Sequence, residues 1–110
     1  MPKNPFANPD GPTPFQERVY ALTRRVPKGR VTTYADLAHA LGIAGYRSVG
    51  TALGRNPDIP ATPCHRVVKS DGTVGQYAFN TPKKIALLKA EGIVIENGRI
   101  KDFETVRFRF

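Results

Sequence analysis

The sequence predicts a mainly α, winged-helix-like helix-turn-helix domain with short strands and a C-terminal β-hairpin. Three observations lead there. Apolar residues recur at helical spacing in four stretches, three of which open on a capping pattern. The two shortest stretches are joined by a glycine-containing turn, the pattern of a helix-turn-helix unit. Near the C-terminus, Asn97-Gly98 separates two short apolar runs, a strong signal for a two-residue hairpin turn.

The elements follow in chain order. Residues 1–12 hold four prolines, two asparagines and a glycine, and predict a flexible N-terminal arm, disordered or loosely docked, with residues 13–110 as the folded domain. Thr13 is suited to cap a first helix, Pro14 to its first position, and Gln16 to close a capping box. Phe15, Val19, Leu22 and Val26 predict its buried face, and Pro27-Lys28-Gly29 its end. Thr33 precedes a second helix with Leu37, Ala38 and Leu41 inward and Gly42 as its stop. A third helix is expected over 46–53, with Val49, Ala52 and Leu53 inward. Thr81-Pro82 opens a fourth, to about Ala90, with Ile85 and Leu88 on one face. Lys83 and Lys84 oppose the dipole of its first turn, a cost that phosphate contact or solvation would offset. Val106, Phe108 and Phe110 alternate with Arg107 and Arg109, as in a final short strand.

Composition narrows the function. Seventeen Lys+Arg against nine Asp+Glu give a net charge of +8, the electrostatic footprint of a nucleic-acid binder or of a solvated basic surface. No basic amphipathic helix backed by Trp, Phe and Leu supports a membrane-surface role. One cysteine forms no internal disulfide, which points to a reducing compartment, and one Cys with two separated His makes no structural zinc site. No metal or cofactor is expected. Lacking a signal-peptide core or an apolar run long enough to span a bilayer, the chain reads as cytoplasmic, or nuclear in a eukaryote.

Pro63-Cys64-His65-Arg66-Val67-Val68 carries the chemistry, because it sets the only cysteine beside one of the two histidines. A nearby imidazole is the usual means of making a thiolate near neutral pH. Adjacent residues of an extended strand point to opposite faces, so coupling requires a tight turn or a bridging water. On the dipeptide alone, a buried, inert cysteine beside a surface histidine is the commoner arrangement.

Asn56-Pro57 followed by Pro63-Cys64-His65-Arg66-Val67-Val68 resembles the active-site signature of the O6-alkylguanine-DNA alkyltransferases (methylated-DNA–protein-cysteine methyltransferases). The resemblance runs from about Phe15 to Glu91 and corresponds to that family's DNA-binding active-site domain, without its usual N-terminal domain. The tail is similar to that of the alkyltransferase-like proteins, which carry Trp or Ala where this chain has Cys64. The resemblance implies that Cys64, His65, Glu91 and Asn56 are catalytic. Cys64 is then the nucleophile, His65 its base through a water, Glu91 the orienter of His65, and Asn56 the brace of the turn. It implies that Tyr34, Arg47, Ser48 and Thr51 contact DNA in the minor groove. Tyr34 crowds a phosphate to rotate the nucleotide out, and Arg47 fills the vacated stack. Tyr77, in the loop Gly75-Gln76-Tyr77, and Ala78 after it hold the flipped base together with Tyr34. On spacing alone, Tyr34 and Tyr77 are equally packing aromatics, Arg47 a solvated charge and Glu91 a surface residue.

The implied activity is a stoichiometric transfer of an alkyl group from O6 of guanine in double-stranded DNA to Cys64, by a monomer. The target atom lies inside the duplex, so the base must be flipped. The alternative is a non-enzymatic module that binds O6-alkylguanine and flags it for other repair proteins. A third reading is a plain helix-turn-helix DNA-binding protein with an inert cysteine. Ala78-Phe79-Asn80 stands where the family has a small residue and then Gly-Gly. An inward Phe79 would crowd large alkyl groups.

Overall fold

Local signals build the first helix. The structure, a computed structural model, describes residues 4–75 and 81–110. Helix α1 (Pro14–Thr23) opens on the expected capping box, with the Gln16 amide donating to Thr13 Oγ1 at 3.2 Å and the Thr13 amide to Gln16 Oε1 at 3.0 Å. It stops short of Pro27, because a tight turn over 24–26 closes it and delivers Val26 to the core from outside the helix. Of the expected stripe, Val19 and Val26 are buried and Phe15 and Leu22 are half-buried against the core, but the fully buried face of the helix is turned to include Gln16, Tyr20 and Thr23. Polar groups decide that rotation: the Tyr20 hydroxyl donates to Ala52 O at 2.6 Å and Thr23 Oγ1 to Val19 O at 2.7 Å, so both are buried satisfied.

Strand β1 (Thr32–Thr33) runs directly into α2 (Tyr34–Ala40), capped by Thr33. A turn over 41–46 leads to α3 (Arg47–Gly54). Leu37, Ala38 and Leu41 of the first arm, and Val49, Ala52 and Leu53 of α3, are buried as expected. These helices close over Val19 and Tyr20 to form one apolar cluster that also takes in Cys64 and Val67.

A 3₁₀ turn (Cys64–Arg66) feeds β2 (Val67–Val68), which pairs in parallel with β1 in the register Thr32↔Val67 and Thr33↔Val68. Alternation then splits the strand between two cores. Val67 faces the helix-turn-helix cluster, and Val68 faces a second cluster of Val31, Val74, Leu88, Ile93 and Ile100. Each buried valine contributes about 1.5–3 kcal/mol, so the strand ties both halves together.

Helix α4 (Thr81–Ala90) includes Thr81 as its first residue rather than as its cap, and buries Lys84 with Leu88. Strands β3 (Ile95–Glu96) and β4 (Arg99–Ile100) form the predicted hairpin, with φ of +54° at Asn97 and +75° at Gly98, as a type I′ turn demands.

The expected final strand forms only in part. Phe103–Val106 make a single helical turn, α5, and the chain then pairs with Val31 through one parallel bridge, Val31↔Arg107, in which the Val31 amide donates to Val106 O at 3.0 Å and the Phe108 amide to Val31 O at 2.6 Å. The Arg107 guanidinium holds Asp36 of α2 through two bonds of 2.9 Å and Glu104 of α5 through one of 2.8 Å, which ties the tail to α2. Residues 4–12, expected as a flexible arm, lie against the end of α3: Asn4 Nδ2 donates to Gly54 O at 2.9 Å and to Asn56 O at 3.1 Å.

Candidate active site

The turn before Cys64 is braced from within. Asn56 is fully buried; its Nδ2 donates to Thr62 O at 2.8 Å and its Oδ1 accepts from the Asp58 amide at 2.9 Å. The Cys64 amide donates to Thr62 O at 2.8 Å. The 3₁₀ turn removes the strict alternation of a strand, so Cys64 and His65 are both buried within one turn. The parallel β1–β2 pairing sets the start of α2, and with it Tyr34, beside that turn.

His65, Arg66 and Glu91 form one polar cluster. His65 Nε2 meets Glu91 Oε2 at 3.0 Å. Arg66 grips the same carboxylate in a fork, with Nε to Oε1 at 2.9 Å and NH2 to Oε2 at 2.6 Å, while NH1 donates to Val26 O at 2.8 Å. Burial pushes the Glu91 carboxyl up, but the bonds from Arg66 and His65 outweigh it and hold the group below the usual glutamate range. Burial pulls His65 below the ordinary imidazole value, against the opposing pull of Glu91. A neutral His65 that donates from Nε2 carries its acceptor at Nδ1. That atom is buried and has no hydrogen-bond partner among the described residues.

A groove of about 1050 Å³ opens above Cys64. One wall is the face of α3 made by Arg47, Gly50, Thr51 and Gly54, at i, i+3, i+4 and i+7. Tyr34, Lys69 and Phe6 line it as well. The structure thus brings Cys64, Tyr34, Arg47 and Thr51 to one groove, with His65, Asn56 and Glu91 supporting it from behind. Ser48, exposed on α3, lines a second cleft with Phe15, Ile43 and Arg47. Burial, then the charge of Cys64, pushes the Tyr34 hydroxyl up to about 12. Gly75 approaches closely: with φ of +74°, a side chain there would meet Lys69 and the Tyr34 hydroxyl. Tyr77, Ala78 and Phe79 lie outside the described residues.

Two residues of the site escape sequence reasoning. Arg66, without a derived role, proves to be the clamp on Glu91; nothing local marks a partner 25 residues away. Lys84, read as a phosphate contact or a solvated charge, is fully buried, donates to Val67 O at 2.6 Å and lies 5.8 Å from the centre of the Tyr34 ring. Burial lowers it from the ordinary lysine value to about 7, with the charge of Cys64 opposing. Its spacing of four from Leu88 on the apolar face of α4 was the available signal.

Residues 14–93 match the family model described as the DNA-binding domain of 6-O-methylguanine DNA methyltransferase. The chain belongs to that family. Among curated relatives, the methylated-DNA–protein-cysteine methyltransferase of Thermococcus kodakarensis is 47% identical over 85 residues, covering 76% of this chain and 48% of the relative. A bifunctional methyltransferase/endonuclease of Picrophilus torridus is 44% identical over 93 residues, covering 84% of this chain but 30% of the relative. The chain thus spans half or less of these methyltransferases. Among solved structures, the O6-methylguanine-DNA methyltransferase of Pyrococcus kodakaraensis superposes with a TM-score of 0.68 at 48% identity, over 74% of this chain and 47% of that one. S. pombe Atl1, solved with DNA containing O6-carboxymethylguanine, superposes with a TM-score of 0.77 at 27% identity, over 87% of this chain and 95% of that one. The mainly helical helix-turn-helix fold agrees with both.

Proposed function

We propose that this methyltransferase-family domain repairs DNA by moving a methyl group from O6 of guanine to Cys64. The observation that supports it best is the linked set Arg66–Glu91–His65 behind a cysteine at the floor of a basic groove. Arg66 and Glu91 hold the imidazole so that Nδ1 is its proton acceptor. His65 takes the thiol proton through a water, and the thiolate attacks the methyl carbon from the side opposite O6. The S–C bond forms as the C–O6 bond breaks, and a proton returned to the base leaves guanine. Lys84, buried near Tyr34 and Cys64, adds positive potential that favours the thiolate. Tyr77 donates to the departing base, and Asn56 keeps the turn rigid.

The groove's arginines and lysine suit duplex DNA. Arg47 and Thr51 stand on its open face, and Arg47 fills the stack when the base is flipped. The S-alkylcysteine product is a thioether and the chain has no second thiol, so each molecule acts once.

The likeness to S. pombe Atl1 over 95% of that chain favours a second reading, a lesion-binding module that transfers nothing. One experiment separates the two. Intact-protein mass is measured after incubation with duplex carrying O6-methylguanine, and a peptide map follows. One added methyl on Cys64, absent in Cys64→Ala, is expected. Lesion binding with unchanged mass establishes the second reading instead.

A further inference from the structure

Phe6 is 64% exposed and lines the groove above Cys64, yet its backbone is held from both sides. Its amide donates to Asn4 Oδ1 at 3.0 Å, and Asn4 is itself buried and anchored on Gly54 O and Asn56 O. On the other side, Asn8 Nδ2 donates to Gln16 Oε1 at 2.8 Å and Oδ1 accepts from Arg55 NH1 at 2.9 Å. A short segment fastened at both ends therefore presents an aromatic ring to water. Exposing that ring forfeits the gain of burying it, which is recovered when a partner covers it.

The surroundings indicate the partner. Phe6 adjoins the C-terminal end of α3, and Tyr46, 58% exposed and lining the same groove, stands at the N-terminal end. Between the two rings, Gly50 and Gly54 leave the helix face low. Arg47, Arg55 and Lys69 line the groove against a single acidic residue, Asp71. Flat aromatic surface interleaved with cations suits nucleotides, whose bases and sugars accept stacking and whose phosphates require positive charge.

We propose that Phe6 is a DNA contact: the fastened arm lays its ring against a nucleotide flanking the lesion and extends the interface beyond the helix-turn-helix unit. This rests on the DNA-repair reading above. The test measures affinity for a duplex carrying O6-methylguanine as a function of salt. Phe6→Ala should weaken binding about fivefold or more and leave the salt slope unchanged, since no phosphate-pairing charge is lost. The urea midpoint should not move, because the side chain is exposed. Phe6→Tyr should restore most of the affinity. Arg47→Ala serves as the reference for the groove. Weakened binding in Arg47→Ala with wild-type affinity in Phe6→Ala overturns this inference alone. A wild-type protein that binds no duplex overturns it together with the DNA-repair reading. A dimer that Phe6→Ala converts to monomer, with affinity unchanged, overturns it in favour of a second copy of the chain.

Discussion

Arg66→Met tests whether the Arg66–Glu91 clamp sets the state of His65. The substitution keeps the buried stem and removes the guanidinium. Glu91 loses its bonds of 2.9 Å and 2.6 Å, and Val26 O loses its donor at 2.8 Å. Breaking a buried ion pair from one side costs about 3–5 kcal/mol. Arg66 and Glu91 are 16% and 12% exposed, so some water enters. A loss of about 2–3 kcal/mol is expected, a large part of a small domain's stability. The effect on His65 has a definite sign. The charge of Arg66 is among the causes lowering its pKa, so Arg66→Met should raise it; Glu91→Gln removes the bond and charge that raise it, so the pKa should fall further. NMR titration of the imidazole resonances reads both shifts, with His39, exposed on α2, as the second signal. The acid limb of the alkyl-transfer profile should follow, moving to higher pH in Arg66→Met and lower in Glu91→Gln. Arg66→Lys, which keeps a charge but not the fork, covers the case in which Arg66→Met does not fold. Shifts of the same sign in both variants, or a stability loss under about 1 kcal/mol, would refute the reasoning.

Two further outcomes are expected. The unfolded chain holds the Lys84 proton to about pH 10.4, whereas the folded chain releases it at about 7. The unfolded state therefore binds more protons between these values, and stability rises with pH across that window. The unfolding free energy from urea titration in a Cys64→Ala background should climb by about 1–2 kcal/mol between neutral pH and about pH 9, and Lys84→Met should flatten the climb. Asn56→Ala removes both bonds that brace the turn before Cys64 and should cost about 2–3 kcal/mol. Hydrogen exchange over residues 57–64 should speed up even where the rest of the fold is protected.

What the sequence determined by itself was local. The capping box at Thr13 and Gln16, the cap at Thr33, the turn at Asn97-Gly98 and the inward faces of α2 and α3 all stand in the structure. Each rests on groups no more than a few residues apart, where backbone geometry dictates the partner. The spacing of Asn56, Cys64, His65 and Glu91 also pointed to the site, through the family signature. Only the tertiary structure decided the rest. Arg66 reaches Glu91 across 25 residues, Arg107 reaches Asp36 across 71, and Asn4 reaches Asn56 across 52. Lys84 is buried because two apolar clusters and a parallel strand pair close around it. The tail is fastened to α2 because Arg107 reaches Asp36 with both ends of its guanidinium. Long polar side chains reach many partners in an unfolded chain, and packing of the apolar core selects the one that satisfies them.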